Sequence, residues 1–262
     1  MSAPFTTPFT TADLAPAGEP APPLRRVLAQ AAFDARVMLR NGEQVLLTLV
    51  LPALLLVALV VTGVPDLASG PRVDVVTPGV LALAVLSTAF TGQAIGTAFD
   101  RRYGVLRLLG TTPLGRAGLL AGRVLAVLAV ELVQLVVLGG IAFVLGWRPA
   151  PLGLPAALPA ALLGTAAFVA LGLLLAGTLR SEAVLALANL VWVVLAVGGA
   201  VVVPATAGSS HAAIARVLPS GALGDALRSA CAQGRVDLAA AGVLAAWALG
   251  AGVLAARFFR WD

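Results

Sequence analysis

Glu131 is the one acidic residue that lies well inside a long apolar stretch of this sequence, and Gln134 follows it three residues later. Side chains three residues apart share one face of a helix. A carboxylate at membrane depth is costly unless it faces a cavity or a polar partner. Two interpretations remain open: an interhelical hydrogen bond, or a group on a substrate path or proton relay.

The residues that enzymes use for catalysis and metal binding are scarce. The chain has one histidine, His211, and one cysteine, Cys231, and neither an H-E-x-x-H nor a G-x-S-x-G motif occurs. All 17 basic residues are arginine, so the lysine that a Walker A motif needs is absent. We therefore predict a chain that is no enzyme and holds no metal or cofactor, and ATP-driven work would require a separate subunit.

The overall composition indicates which kind of structure holds Glu131 and Gln134. Hydrophobic residues make up 60% of the 262 positions and charged residues 11%, whereas soluble domains average roughly 45–50% and about 25%. A spanning helix needs about 20 apolar residues. The sequence therefore predicts an all-α polytopic membrane protein with six transmembrane helices, over about 44–64, 77–99, 118–145, 154–178, 183–203 and 236–256.

Arginines predict the orientation of these spans. With the N-terminus inside, twelve arginines fall on the cytoplasmic side and five outside, which agrees with the positive-inside rule. Both termini are thus expected in the cytoplasm. The net charge of +5 does not indicate nucleic acid, because the arginines lie at the ends of apolar runs. The outer arginines are Arg72, Arg148, Arg216, Arg228 and Arg235.

Two segments precede the first span. Residues 1–23 are rich in Pro, Ala and Thr and have no apolar central run, so we expect a disordered cytoplasmic tail and no cleaved signal peptide. Residues 24–40 predict an amphipathic helix in the membrane interface; a soluble helix packed on a partner is the alternative. Its predicted apolar face comprises Leu24, Val27, Leu28, Ala31, Ala35, Met38 and Leu39.

The segment over 206–235 is semi-apolar and precedes the last span. Its pattern predicts two short helices broken by Pro219 and Gly221. Such a segment can dip back into the outer leaflet where protein shields its backbone. An ordinary surface loop is the alternative.

A basic loop joins the second and third spans, in the stretch "AFDRRYGVLRLLGTTPLGRAGLLAGRVLA" that begins at Ala98. Five of the 17 arginines lie in it, and a glycine, a short apolar stretch and a Thr-Pro pair separate them. Charge alone suffices to orient a loop towards the cytoplasm. An orientation signal that contacts only water and lipid headgroups is therefore one interpretation of the loop.

Six spans, a preceding interfacial helix and this basic loop resemble the membrane subunits of type 2 ABC exporters, the ABC-2 family, over residues 24–260. The resemblance implies that the loop is a coupling segment that docks into a groove of an ATPase subunit. Family members often carry glutamates near the glycine, where this chain has arginines. The matching residues are Asp100, Arg101, Arg102, Tyr103, Gly104, Arg107, Thr112, Pro113 and Arg116.

The same resemblance extends to "LPSGALGDALR", which is similar to the family's outer segment with short re-entrant helices. Its residues of interest are Pro219, Gly221, Asp225 and Arg228. The resemblance also implies a dimer, either of identical or of related permeases, surrounded by membrane lipid. ATP and Mg²⁺ would then be bound by two copies of the separate ATPase.

The sequence therefore favours the permease subunit of an ATP-driven exporter in a bacterial plasma membrane, with a small hydrophobic, lipid-like or drug-like cargo. Antibiotic resistance is one role that such a cargo would allow. No motif identifies the cargo itself. The alternative is a proton-coupled secondary transporter that uses Glu131.

Overall fold

The computed structural model of the chain describes residues 21–63 and 71–259. Over these ranges the secondary structure is helical, and six helices are long and apolar enough to cross a membrane. This confirms the predicted all-α chain with six spans. Residues 1–20 of the predicted tail, loop residues 64–70 and Arg260 lie outside the described ranges.

We number the helices in chain order. The six that can cross a membrane are α2, α3, α5, α6, α7 and α10. The helices are α1 Pro23–Arg40, α2 Gly42–Thr62, α3 Arg72–Arg102, α4 Val105–Gly110, α5 Gly115–Val144, α6 Gly153–Thr178, α7 Ser181–Gly198, α8 Ser210–Val217, α9 Pro219–Gln233 and α10 Leu238–Phe258.

Two helix ends differ most from the hydropathy prediction, each by five residues. Helix α3 begins at Arg72, ahead of the predicted residue 77, because Pro71 and an acidic first-turn residue, Asp74, favour a helix start that hydropathy does not detect. Helix α7 ends at Gly198, before the predicted residue 203. Ala200 adopts a φ of 47°, which turns the chain out of the helix.

The core lies around α3 and α9. Nearly all of the first half of α3 is buried, and α9 packs against α3, α6 and α10. A helix satisfies its interior backbone hydrogen bonds within itself, as a segment at membrane depth requires. The segment before the last span thus contains two helices, α8 and α9, and α9 lies within the bundle.

Helix α1 begins at Pro23, one residue before the predicted start, and ends at Arg40 as predicted, but the predicted apolar face is divided. Ala31 and Ala35 are buried and α1 packs against α5, whereas Leu24, Leu28 and Leu39 are exposed. Small residues allow two helices to approach closely, so they face the protein and the larger ones face outward. The location of this outer face in a membrane interface stays a prediction.

The close approach of α1 to α5 occurs at Gly122. A Cβ atom there would lie 2.9 Å from Cγ of Gln30 and 3.4 Å from the carbonyl oxygen of Val27. Gly118 and Gly122 form a GxxxG pair, a pattern that joins membrane helices. In this chain the pair is used for packing within the subunit.

Candidate functional site

The predicted coupling loop, between α3 and α5, contains the short helix α4 with a turn on either side of it. Gly104 has a φ of 73°, a left-handed conformation that glycine adopts without strain, and it reverses the chain into α4. The hydroxyl groups of Thr111 and Thr112 donate to the carbonyls of Leu108 and Leu109, at 2.7 and 2.6 Å. These bonds close the turn before α5.

Asp100 forms an ion pair with Arg123 of α5. The Nη1 atom of Arg123 also donates to the hydroxyl of Thr97, at 2.7 Å. The side chain of Arg123 is only 11% exposed, so this contact joins α3 to α5 in a largely buried position. Asp100 thus contacts its own chain.

Arg101 and Arg102 also contact their own chain. Arg101 donates to the carbonyl of Leu179, in the turn between α6 and α7. Arg102 forms an ion pair with Glu182 and lies 3.4 Å from the hydroxyl of Ser181, both at the start of α7. The charged residues at the base of the loop therefore fix the end of α3 to α5, α6 and α7. Their part in docking an ATPase stays a prediction.

The outer part of the loop is exposed. Tyr103 is 72% and Leu108 69% exposed, and Arg107 is exposed beside them. Leu106, on the opposite side of α4, is buried. Tyr103, Arg107 and Leu108 form what we call the loop tip.

Two further predicted loop residues lie between the base and the helix that follows. The carbonyl of Pro113 accepts a hydrogen bond from Arg26 of α1, and Thr112 is half-buried. Arg116 is exposed in the first turn of α5. Helix α1 is thereby attached to the coupling loop, a link that the sequence does not indicate.

Asp34 of α1 lies near the ion pair at the base of the loop. It accepts a hydrogen bond of 2.9 Å from Nε2 of Gln30. Burial raises the pKa of Asp34 above its ordinary value, and the nearby charge of Asp100 adds to this, while Gln30 and Arg123 oppose it. Burial is the largest of these causes, so folding shifts the equilibrium of Asp34 towards its protonated form.

A raised pKa in the folded state predicts a pH dependence of stability. The stabilisation is complete below the unfolded-state pKa of Asp34 and is lost as the pH rises through its folded-state pKa. We expect Asp34→Asn to reduce the fall in Tm as the pH rises above about 4, the ordinary pKa of an aspartate, relative to wild type. Thermal unfolding in detergent measures this, with Glu43→Gln, an exposed acid, as control. Equal pH dependence in Asp34→Asn and wild type would contradict the assignment.

Glu131 and Gln134 face different helices. The hydroxyl of Thr165 in α6 donates to Oε2 of Glu131, at 2.7 Å. Nε2 of Gln134 donates to the carbonyl of Thr48 in α2 and the hydroxyl of Thr88 in α3, at 2.8 and 2.7 Å. Interhelical hydrogen bonds are therefore present at both positions, and the transport role of Glu131 stays a prediction.

The two partners of Gln134 lie in π-helical segments, Leu46–Val50 of α2 and Ser87–Gly92 of α3. Such segments occur as local bulges in α-helices, often at functional sites. Gln134 itself is 3% exposed, and its Oε1 atom, like Oε1 of Glu131, has no hydrogen-bond partner among the described residues. The three helices thus meet at a buried polar centre.

The substitution Glu131→Gln distinguishes the effect of the carboxylate charge from the effect of side-chain packing, because glutamine has nearly the same shape. Its amide oxygen can accept the bond from Thr165, so we expect Glu131→Gln to insert and unfold like wild type, and any change in transport or its pH dependence to reflect the lost carboxylate. Thr165→Val leaves the carboxylate without that donor and should cost about 1–3 kcal/mol. Transport and Tm measured together test this. Wild-type transport by Glu131→Gln would remove Glu131 from the transport path.

The residues predicted to form an outer re-entrant segment contact other residues of the same chain. Pro219 begins α9, as the break between two helices requires, but Gly221 lies within the first turn of α9 and makes no break. A Cβ atom on Gly221 would lie 2.1 Å from the carbonyl oxygen of Ala215, so close packing explains this glycine. Arg228 donates to Oδ1 of Asp225, at 2.8 Å.

Arg228 also donates to the carbonyl of Val201, at 2.7 Å, and so satisfies a backbone group where the chain leaves α7.

The described residues contain no group of three His, Cys, Asp or Glu side chains that could hold a metal ion. Sequence reasoning missed the polar partners Thr48, Thr88, Thr165 and Glu182. The only signal was their polarity within or beside apolar stretches.

Comparison with known proteins gives one match. The family described as ABC-2 family transporter protein matches residues 73–257. The match includes α4 and five of the six long helices and begins after α1 and α2. No curated protein matches the chain.

Proposed function

Because this chain belongs to the ABC-2 family of transporter proteins, we propose that it exports a small hydrophobic, lipid-like or drug-like cargo with a separate ABC ATPase. Membership makes it a multi-pass membrane subunit of an ABC transporter, a class that associates with an ATPase subunit. We propose a bacterial plasma membrane, with both termini in the cytoplasm and ATP and Mg²⁺ bound by the ATPase.

The construction of the coupling loop carries this proposal. Its tip exposes Tyr103, Arg107 and Leu108, an aromatic, a cationic and an apolar side chain in one short segment. Aromatic residues and arginine are enriched at the centres of protein interfaces. An exposed tip of this composition supports docking to another protein better than a role in orientation alone.

The base of the loop explains how a docked ATPase would act on the spans. Asp100 is paired with α5, Arg101 with the turn after α6, and Arg102 with the start of α7. A displacement of α4 would therefore be transmitted to four of the long helices through short polar contacts. We propose that closure of the ATPase pair displaces α4, and that cargo leaves between two copies of this chain or between it and a related permease.

The proton-coupled alternative has less support. It requires Glu131 to exchange protons along a relay, and the described partner of its carboxylate is one threonine hydroxyl. The ABC-2 family membership favours energy from ATP. Antibiotic resistance follows only if the cargo proves to be an antibiotic.

Purification of the tagged full chain from native membranes tests the proposed function. We expect a nucleotide-binding subunit with a Walker A lysine to accompany it, and the complex to hydrolyse ATP at a rate that its cargo stimulates. Transport in reconstituted vesicles should depend on ATP and survive loss of the proton gradient. Transport that survives ATP depletion but collapses with the proton gradient would overturn the proposal.

A further inference from the structure

A basic groove lies beside the coupling loop, where α3 ends and α7 begins. Its volume is about 260 Å³, and we call it the arginine groove. Pockets that hold drug-sized ligands measure roughly 300–1,000 Å³, so the arginine groove suits a smaller polar group than the proposed cargo. Its lining residues are Ala98, Arg101, Arg102, Arg180, Ser181 and Glu182.

The groove carries excess positive charge. Its three arginines and one glutamate sum to two positive charges, three minus one. Arg102 pairs with the glutamate, whereas the guanidinium of Arg180 donates no hydrogen bond to another described residue and is exposed. Arginine has five N–H donors, and Arg101 uses one for the carbonyl of Leu179. Donors therefore remain for an anion.

The start of α7 adds to this preference. Ser181 is the first residue of an 18-residue helix. Its N-cap residue, Arg180, makes no side-chain cap, and in the first turn the carboxylate of Glu182 accepts a hydrogen bond from its own backbone N–H. The backbone N–H groups in such a first turn carry partial positive charge. A phosphate in the groove would meet guanidinium groups and this helix end together, and arginine binds phosphate through paired N–H donors.

The depth of the groove indicates the source of the phosphate. Helix α3 ends at Arg102, α6 ends at Thr178 and α7 starts at Ser181, so three apolar helices end around it. The headgroup phosphates of a bilayer lie at that level. Leu185, one turn from Glu182 on the same face of α7, is 44% exposed and offers a path for an acyl chain.

We infer that the arginine groove binds the phosphate of an anionic phospholipid headgroup, with Arg101 and Arg180 as its principal donors. Basic pockets between membrane helices are a known means of binding such headgroups. The bound lipid would join α3 to the α6–α7 turn next to the coupling loop. The inference goes beyond the proposed function and does not depend on the ATPase or on the cargo.

Lipid binding to the purified full chain tests this inference. We would measure retained lipid by native mass spectrometry, and Tm in nanodiscs of phosphatidylcholine with or without phosphatidylglycerol. We expect phosphatidylglycerol to bind and raise Tm. Arg180→Gln and Arg101→Gln should each weaken its binding about fivefold, the equivalent of about 1 kcal/mol per arginine near a membrane surface. Arg216→Gln in α8, also an exposed arginine, is the matched control and should bind like wild type.

Glu182→Gln distinguishes a binding site from a structural cluster. Loss of the only carboxylate in the groove should strengthen phosphatidylglycerol binding, whereas a merely structural cluster would lose stability and gain no lipid. Inorganic phosphate in detergent separates the sources: an equal rise in Tm with phosphate alone would overturn the lipid assignment. Equal lipid binding by wild type, Arg180→Gln and Arg101→Gln would overturn the inference. This holds even if the two variants no longer bind the ATPase, because ATPase binding tests the proposed function and not the lipid site.

Discussion

Leu108→Asp is expected to separate the permease from its ATPase without disturbing the fold. Leu108 is 69% exposed at the loop tip, so the change removes little internal packing. A central interface residue contributes about 2 kcal/mol or more, roughly 30-fold in affinity. We therefore expect affinity for the ATPase to fall at least about 30-fold, with cargo-stimulated hydrolysis lost, as measured by titration of the purified subunits.

Two variants in the same loop serve as controls. Leu106→Ala truncates the buried side of α4 and should lower Tm. Arg107→Ala removes an exposed charge and, at about 1.5–3 kcal/mol for a charged hydrogen bond, should weaken ATPase binding about 10-fold or more. Normal ATPase affinity and coupling in both Leu108→Asp and Arg107→Ala would mean that the loop only orients the chain in the membrane.

Arg123→Met is expected to produce the largest loss of stability. Removing one partner of a buried ion pair costs roughly 3–5 kcal/mol, because the remaining charge stays buried. Asp100 is 36% exposed, so water compensates part of this loss and we expect about 2–3 kcal/mol. That corresponds to a fall in Tm of about 5–10 °C in a thermal unfolding experiment.

Two further variants check the cause. Arg123→Lys keeps the charge but cannot serve both Thr97 and Asp100 with the geometry of a guanidinium, so its Tm should be intermediate. Adding Asp100→Leu to Arg123→Met removes the orphaned carboxylate and should restore part of the stability. A wild-type Tm for Arg123→Met, or no recovery in the double variant, would show that the pair does not fix α3 to α5.

The six spans and helix α1 follow from the sequence alone, because hydrophobic length and helical periodicity are local properties. Stretches of about 20 apolar residues form helices in a membrane whatever surrounds them. The glycine at position 104 and the short helix after it were predicted from the resemblance to the ABC-2 family. Hydropathy did not predict the helix start at Arg72 or the helix end at Gly198. The residues of the first turn determine the start, and the left-handed conformation of Ala200 determines the end.

The partners of the polar residues were decided only by the tertiary structure. Asp100, Arg101 and Arg102 are consecutive, yet their partners lie 23, 78 and 80 residues away. Glu131 and Gln134 share a helix face but bind different helices. Such pairings depend on how the helices pack, and no local pattern encodes that. The sequence determined which residues are polar within an apolar chain; packing decided which of them hold the bundle together and which, at the loop tip, remain available to a partner.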